Sequence, residues 1–265
     1  MQIKNHYKKR IIRIFFGEKI YEKIKYYVAI RKYVTKNQSI ISKLVQPNDI
    51  AIDVGANIGG ISYVLSKICG DQGRVYRIEP NLSAYNFLCK TIKDYSLHNA
   101  KPYNIAIGNQ NTILDLIIPT FGSLQVDTRS TINPETINKY SKDRSINKLF
   151  HQPIQVLTID NFCADNSIDH VDFIKEDTEG HTLGVIEGSK KTNKKSLPTL
   201  YFEIQHESKH LKKLKELGYE IFVDLCNGFI KKYSQVSKDE QYDESNTILI
   251  HQLKISKYDK IICDP

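Results

Sequence analysis

The stretch AIDVGANIGGISYVLSKICGDQGRVYRIEP, residues 51–80, decides the fold of this chain. It reads as a buried strand, a glycine-rich turn, a helix and a second strand that ends at Glu79. A strand, a tight turn and a helix in this order direct backbone N–H groups into a crevice at the carboxyl edge of a sheet. The stretch therefore predicts a site for a nucleotide-like ligand.

The turn departs from the dinucleotide fingerprint GxGxxG at the position that faces a pyrophosphate. It runs from Asp53 through Gly55 and Asn57 to Gly59, so an asparagine replaces the second glycine. Asp53 would repel phosphates and suits a ligand with positive charge, such as S-adenosylmethionine (SAM) with its ammonium and sulfonium. Glu79 can accept hydrogen bonds from ribose hydroxyls. The turn therefore favours SAM over NAD, the alternative being glycines that serve only to turn the chain.

The remainder of the 265 residues alternates between strand and helix patterns, which predicts a doubly wound α/β fold with a mostly parallel sheet. We expect further strands at 102–108, 112–119, 154–160, 171–177, 199–205, 220–225 and 246–253, and helices at 82–95 and 206–219. This domain occupies residues 46–265. A polar insertion or mobile loop is expected at 120–152, and a basic N-terminal helical cap at 1–45.

The positive charge of the chain lies at its N-terminus. The net charge is +8, of which residues 1–50 carry +9 (twelve Lys and Arg against three acids) and the rest −1. Such a segment could meet a membrane surface, a nucleic acid or an anionic glycan, or it could be a solvated helix face. No uncharged apolar run approaches the roughly 18 residues of a transmembrane helix, and no signal peptide is recognised.

The five cysteines are odd in number and have no CxxC spacing. This usage indicates reduced, mostly buried thiols and a cytoplasmic location. An oligomer is possible.

A group of charged residues ends the strand expected at 171–177. Lys175, Asp177 and Glu179 alternate there, so all three point to one face while the chain stays extended. Ligands bind at this edge of a parallel sheet, so Asp177 and Glu179 are candidate catalytic residues. A structural ion network is the alternative, and for Lys175 it is the favoured one.

The next strand adds a second group of candidates. Glu203 ends that strand and shares the edge with Asp177, while His206 opens the following helix and His181 follows Glu179 closely. Each histidine is a candidate base or a structural residue. No cluster has zinc spacing. A divalent metal ion held by Asp177 and Glu203 is possible, but the sequence does not require one.

Four motifs together resemble the FkbM-type SAM-dependent methyltransferases. They are DVGANIGGIS, GRVYRIEPN, DFIKEDTEG and TLYFEIQ, and they match the family patterns D-x-G-A-N-x-G, a strand that ends in E-P, and K-x-D-x-E-G in the expected order. The segment IQVLTID at 154–160 also matches. The resemblance covers about 48–206 and says nothing about 1–45 or 120–152.

This resemblance implies a Rossmann-like class I methyltransferase fold. Residue by residue, it implies that Gly55, Asn57 and Gly59 shape the cofactor turn, that Glu79 holds the ribose, and that Asp177 and Glu179 lie beside the transferred methyl group. The chain departs from the family at Glu176, Thr182 and Gly184, which changes the expected shape of the acceptor pocket.

We therefore expect methyl transfer from SAM to a hydroxyl of a sugar, glycan or other small molecule. Two alternatives stay open. One is a nucleic-acid N-methyltransferase, although the chain has EDTEG where such enzymes carry an Asn/Asp-Pro-Pro-aromatic motif, and it has no Trp to stack a base. The other is a catalytically silent cofactor-binding module.

Overall fold

The computed structural model describes residues 40–121, 124–125 and 129–263. Its strands are β1 (Ile50–Val54), β2 (Arg74–Ile78), β3 (Ala100–Tyr103), β4 (Ala106–Ile107), β5 (Thr112–Phe121), β6 (Leu124–Gln125), β7 (Lys148–Leu157), β8 (Phe173–Glu176), β9 (Thr199–Phe202), β10 (Tyr219–Asp224), β11 (Ile230–Lys232) and β12 (Thr247–His251). Its α-helices are α1 (Gly60–Cys69), α2 (Leu82–Asp94), α3 (Pro134–Lys142), α4 (Ile159–Asp165), α5 (Thr182–Gly188), α6 (Lys190–Ser196) and α7 (Lys212–Glu216).

The main sheet has eight strands in the order β11-β10-β12-β9-β8-β1-β2-β3. Strands β9, β8, β1, β2 and β3 are parallel, and β12 is antiparallel between β9 and β10. The predicted doubly wound, mostly parallel α/β fold is confirmed. The chain leaves β1 toward β2 and later returns to the other side of β1 as β8, so the topological switch point lies between β1 and β8.

Helices cover both faces of this sheet and bury apolar side chains against it. On one face α1 and the helical residues 40–44 pack on the strands, with Ile40, Ile41, Leu44, Val64 and Leu65 in the cluster. On the other face α4, α5 and α7 contribute Phe162, Val185, Ile186 and Leu214, and the turn before α7 contributes Leu211. Cys69 and Cys163 are buried in these two clusters.

The expected N-terminal cap, residues 1–45, lies mostly outside the described residues. Only its last six residues are described, and Ile40, Ile41, Leu44 and Val45 among them are buried against the sheet. The cap as a whole stays a prediction. In the described part of the chain, no helix is both long and apolar enough to span a bilayer.

The expectation of a loop at 120–152 is wrong for the described residues of that segment. Strands β4, β7, β5 and β6 form a second sheet, in which β5 and β7 pair antiparallel from Thr112–Val156 to Thr120–Lys148. Helix α3 precedes β7. The strand predicted at 154–160 therefore begins six residues earlier, at Lys148, and ends at Leu157. Residues 148–153 of β7 are exposed or half-buried, so the apolar pattern of a buried strand is missing from that half of the strand.

The helix expected at 206–219 is shorter than predicted. A 3₁₀ turn, Lys209–Leu211, leads into α7, which has only five residues. Ser208 begins the turn because its hydroxyl accepts a hydrogen bond from the His210 amide (3.3 Å).

The loop that follows β8 is anchored by a buried acid. Glu176 is 1 % exposed, and its Oε1 accepts hydrogen bonds from the hydroxyls of Thr178 and Thr182 (3.2 Å for Thr182), while Oε2 has no hydrogen-bond partner. Burial raises the pKa of Glu176 to about 7, although the two threonines and Lys175 lower it. The neutral acid therefore suits this position better than the carboxylate.

Glu176 makes the stability of the protein depend on pH. The folded protein keeps this proton to a higher pH than the unfolded chain, so its contribution is present below about pH 4.5 and is lost as pH rises through about 7. We expect Glu176→Gln to gain stability relative to the wild type, by up to about 3 kcal/mol, between those pH values. Urea unfolding of the wild type and of Glu176→Gln at about pH 4.5 and about pH 7 measures this gain. An equal difference in the free energy of unfolding at the two pH values would contradict the prediction.

The turn after β1 leaves no room for a side chain at Gly55. Its φ is +74°, and a Cβ there would lie 1.8 Å from the carbonyl oxygen of Asp177. Gly70 has a similar φ of +66°, but no heavy atom within 4 Å of such a Cβ. The two glycines therefore share a positive φ and differ in the space around them.

These two glycines provide a matched test of that close approach. We expect Gly70→Ala to lower the free energy of unfolding by about 1–3 kcal/mol, because its φ of 66° and ψ of −173° lie in a region that other residues rarely adopt. Gly55→Ala should lower it by about 1–3 kcal/mol more, because the added methyl group displaces the backbone at Asp177. Urea unfolding measures both. Equal losses would show that β1 and β8 separate easily at this point.

Candidate functional site

The turn between β1 and α1 directs backbone groups toward the carboxyl edge of the sheet. Gly55, Asn57 and Gly59 all have positive φ (+74°, +50° and +92°). The amides of Gly55 and Ala56 both donate to the carbonyl of Ile78 at 3.0 Å, which ties the turn to β2. Asparagine tolerates the left-handed region better than most residues, so Asn57 fits here without glycine.

Glu79 closes this turn from the end of β2. Its Oε2 accepts a hydrogen bond from the Asn57 amide (2.7 Å) and its Oε1 accepts one from the Asn81 amide (2.8 Å). The residue is 6 % exposed, and burial raises its pKa to about 7 against the opposing effect of the two amides. Each carboxylate oxygen has a second lone pair, and Glu79 lines the cavity described below.

Two asparagines that the sequence analysis did not single out fix the chain around Glu79. Asn104 donates from Nδ2 to the carbonyls of Glu79 (2.9 Å) and Pro80 (2.8 Å). Asn81 caps α2 through Ser83 and donates to the Ser130 hydroxyl (2.8 Å). An asparagine just after a strand is a weak sequence signal, because turns of every kind favour it.

The charged residues of β1 and β8 form one network. Asp53 is fully buried, and its Oδ2 accepts a hydrogen bond from the Ser62 hydroxyl of α1. Lys175 lies 3.4 Å from Asp53 Oδ1 and 3.5 Å from Asp177 Oδ2, and it donates to the carbonyl of Gly55 at 3.1 Å. Asp53 points to the helix, so it does not line the cavity as the sequence analysis expected. Lys175 and Asp177 do line it.

Asp177 forms a carboxyl pair with Glu203 of the neighbouring strand end. Burial alone would raise the pKa of Asp177, but Lys175 and the hydrogen bond with Glu203 lower it. That same hydrogen bond, with burial and the charge of Asp177, raises the pKa of Glu203 to about 8. Below this pH the pair therefore holds one proton on Glu203, next to an ionised Asp177.

Glu179 lies in a strained part of the following loop. Its φ is +50°, and its carbonyl accepts a hydrogen bond from the Thr131 hydroxyl (3.2 Å). Asn133, the residue that caps α3, donates to the carbonyl of Gly180. Burial and Asp177 raise the pKa of Glu179, with Arg129 acting against them. The second sheet and α3 thus hold the loop that carries Glu179.

The two candidate histidines have different surroundings. His181 lines the cavity, and its ring fills space that side chains at Gly184 and Gly108 would occupy, since a Cβ at these glycines would lie 2.3 and 3.2 Å from its Nε2. Gly184, a departure from the family pattern, therefore makes room for this ring. Burial lowers the pKa of His181, so its imidazole is neutral at pH 7.

His206 does not reach the cavity lining. Its Nδ1 lies 2.7 Å from the Thr247 hydroxyl and its Nε2 3.1 Å from the carbonyl of Asp243, and its ring packs on Tyr233 and Tyr242. Both ring nitrogens are occupied in holding the loop before β12. Glu203, the candidate three residues before it, hydrogen-bonds Asp177. These contacts indicate a structural role for His206.

These residues surround a cavity of about 320 Å³ above the carboxyl ends of β1, β2 and β8. This volume is within the usual range of small-molecule sites. The apolar part of its lining, called the apolar end below, comes from Ile78, Ala106, Ile107, Leu116 and Ile132. The polar part, called the charged or acceptor end below, comes from Lys175, Asp177, Glu179, Glu203, Ser245 and Asn246. Glu79 and Asn57 also line the cavity, at the edge of β1 and β2.

Metal ligands are not gathered here. Within residues 40–121, 124–125 and 129–263, no group of three or more His, Cys, Asp or Glu has the geometry to hold a metal ion. Asp177 and Glu203, the two residues considered for a divalent ion, form a hydrogen bond with each other.

Solved structures of methyltransferases are similar to this chain. An FkbM methyltransferase from Methylobacillus flagellatus is 16% identical, with a TM-score of 0.48 over 88% of this chain and 60% of that one. The fibrillarin of Aeropyrum pernix with natively bound SAM is 13% identical, with a TM-score of 0.41 over 80% and 71%. A precorrin-6y C5,15-methyltransferase from Geobacter metallireducens is 13% identical, with a TM-score of 0.40 over 81% and 84%.

The chain thus spans less than two thirds of the Methylobacillus structure. Comparison with curated proteins gives no match. The model of the FkbM methyltransferase domain matches residues 53–221, which is more than half of the chain and includes the turn after β1, Glu79 and the acids after β8. The resemblance drawn from the four motifs is confirmed, and the chain belongs to the FkbM family of SAM-dependent methyltransferases.

Proposed function

We propose that the protein binds SAM in this cavity and transfers its methyl group to a hydroxyl of a neutral sugar, glycan or other small molecule. The observation that carries the proposal is Asp177, an ionised carboxylate at the switch point, within 3.5 Å of the cation that also binds the cofactor turn. SAM, when bound, supplies an electrophilic methyl group on a sulfonium.

The cavity fits this cofactor in three respects. Glu79 keeps free lone pairs on both carboxylate oxygens, which suits vicinal ribose hydroxyls. The apolar end between Ile107 and Leu116 suits a purine, and that wall comes partly from the second sheet. Asn57 leaves no glycine where a pyrophosphate would approach. Gly55, Asn57, Gly59 and Glu79 would therefore hold the cofactor, with Asp53 supporting the turn from below.

Asp177 is the residue that we assign to the acceptor. An alcohol becomes a good nucleophile only as its proton leaves, and a carboxylate within hydrogen-bond reach can accept that proton. With SAM bound, the acceptor oxygen would bond to the methyl carbon as the carbon–sulfur bond breaks and S-adenosylhomocysteine leaves, and the hydroxyl proton would move to Asp177. Glu203 lies partly exposed beside it and can release a proton from the pair to water. Positioning of the acceptor contributes the larger part of the rate.

The charge of the acceptor end argues for a neutral acceptor. Asp177, Glu179 and Glu203 line it, and Lys175, the cation among the described lining residues, is already paired with Asp53. The ionised Asp177 repels a phosphate-rich polymer, whose binding depends on Lys and Arg contacts. All three carboxyl groups can form hydrogen bonds with hydroxyls, which are abundant in sugars.

Methylation of a nucleic acid is the second candidate, and the +9 charge of residues 1–50 favours it. This segment lies mostly outside the described residues. A catalytically silent module is the third, and turnover with any acceptor removes it. We also propose a cytoplasmic location, because Cys69 and Cys163 are buried as thiols, with their pKa raised by burial to about 12 and about 11.

The test of this function is transfer of labelled methyl from SAM to a panel of neutral glycosides, read by mass spectrometry, with RNA and DNA in parallel. We expect an alkali-stable methyl ether on a glycoside. Methylated nucleic acid with no methylated glycoside would replace our proposal with the second candidate.

Asp177→Asn should lower turnover at least ~10²-fold, because the amide cannot take the acceptor proton. SAM affinity, measured by calorimetry, should change much less. The control is Asp115→Asn, which removes an exposed carboxylate 3.4 Å from His151 on the hairpin and should leave both values unchanged. Wild-type turnover in Asp177→Asn would show that Asp177 is structural.

A further inference from the structure

Lys175 is a buried cation with three partners from three parts of the site. Its side chain is 4 % exposed. The Nζ donates to the carbonyl of Gly55 (3.1 Å) and lies 3.4 Å from Asp53 Oδ1 and 3.5 Å from Asp177 Oδ2. It therefore touches the turn, the strand beneath the turn and the acid of the acceptor end at the same time.

The two carboxylates around Lys175 have different exposure. Asp53 has a fully buried side chain and also accepts a hydrogen bond from Ser62, so it is fixed. Asp177 has 40 % of its side chain exposed and faces the cavity. One buried carboxylate is enough to neutralise a buried ammonium. Lys175 can therefore influence the charge and the orientation of the second, half-exposed carboxylate, that of Asp177.

The Gly55 carbonyl connects this cation to the cofactor turn. A Cβ at Gly55 would lie 1.8 Å from the Asp177 carbonyl, so the two backbones already touch. A displacement of the turn therefore displaces the partner of Lys175 and, through it, the carboxylate of Asp177.

We propose that Lys175 is a positioning residue that couples occupancy of the cofactor turn to the ionisation of Asp177. The coupling rests on the proposed function for the identity of the ligand. Lys175 stabilises the ionised form of Asp177, so a ligand that prefers this form binds more tightly when Lys175 is present. By the reciprocity of coupled equilibria, binding of that ligand in turn favours the ionised form of Asp177. SAM, with its sulfonium, is such a ligand, whereas its demethylated product S-adenosylhomocysteine has lost that charge.

The charges around Asp177 support this assignment. Burial alone would lower the pKa of Lys175, but Asp177, Asp53 and Glu176 raise it, so it stays charged at any working pH. The other ionisable groups that face Asp177, or line the cavity with it, are Glu79, Glu179, His181, Tyr201 and Glu203, and Arg129 acts on Glu179. Among the described members of this group, Lys175 is the cation in contact with Asp177.

The experiment is the titration of Asp177 in full-length protein carrying ¹³C-labelled aspartate, with its signal assigned by its loss in Asp177→Asn. In Lys175→Met the apparent pKa of Asp177 should rise by about 1–3, since an adjacent opposite charge is lost. Lys175→Arg should keep most of the wild-type value. The control is Lys213→Met, which removes an exposed lysine 2.8 Å from Glu187 and should leave Asp177 unchanged.

Calorimetry with SAM and S-adenosylhomocysteine gives the second readout. In Lys175→Met, SAM affinity should fall as pH drops through the raised pKa of Asp177 and recover as pH rises, while the product shows a smaller change. A purely structural lysine would lower the melting temperature and leave the titration of Asp177 where it was, and that result would overturn the proposal.

If Lys175→Met does not fold, the pKa of Asp177 is measured in Asp53→Asn instead. This substitution removes the competing partner of Lys175, so the pKa of Asp177 should fall further, and an unchanged value would overturn the coupling. The titration needs no ligand. Failure of wild-type protein to bind SAM would therefore refute the proposed function alone and is distinguishable from failure of the coupling.

Discussion

The site depends on the close approach of two chain segments, the turn after β1 and the end of β8. A side chain at Gly55 would overlap the carbonyl of Asp177, so the two segments meet only because this residue is glycine. The meeting point is the switch point of the sheet, where the strand order reverses and a crevice opens. Lys175 lies beneath it and binds both segments. The charged end of the cavity follows from this contact.

The second sheet completes the cavity. It arises between β3 and β8 and brings Leu116 and Ile132 to the apolar end. Thr131 and Asn133 bind the carbonyls of Glu179 and Gly180, so the same segment also holds the loop beyond Asp177. The chain between the strands of the main sheet is thus part of the site. The apolar and charged parts of the cavity lining are held by one continuous set of contacts.

Local patterns predicted the fold and the cofactor turn, because a strand, a glycine turn and a helix are written in consecutive residues. They did not reveal which way Asp53 points, since that depends on Ser62 of a packed helix. His206 looked like a base next to Glu203, but Thr247 and Asp243, some forty residues later, occupy its ring nitrogens. Strands were expected at 112–119 and 154–160, but their pairing into one hairpin and the start of β7 at Lys148 were not, because the exposed half of β7 lacks a buried apolar pattern. Each of these features depends on a contact between separate elements.

The central claim is that one cavity holds the cofactor between Glu79 and the charged end at Asp177. A crystal structure with S-adenosylhomocysteine tests it most directly. We predict ribose hydroxyls on Glu79, the adenine between Ile107 and Leu116, and the sulfur directed toward Asp177. Adenine bound at the charged end, or product bound outside this cavity, would contradict the account.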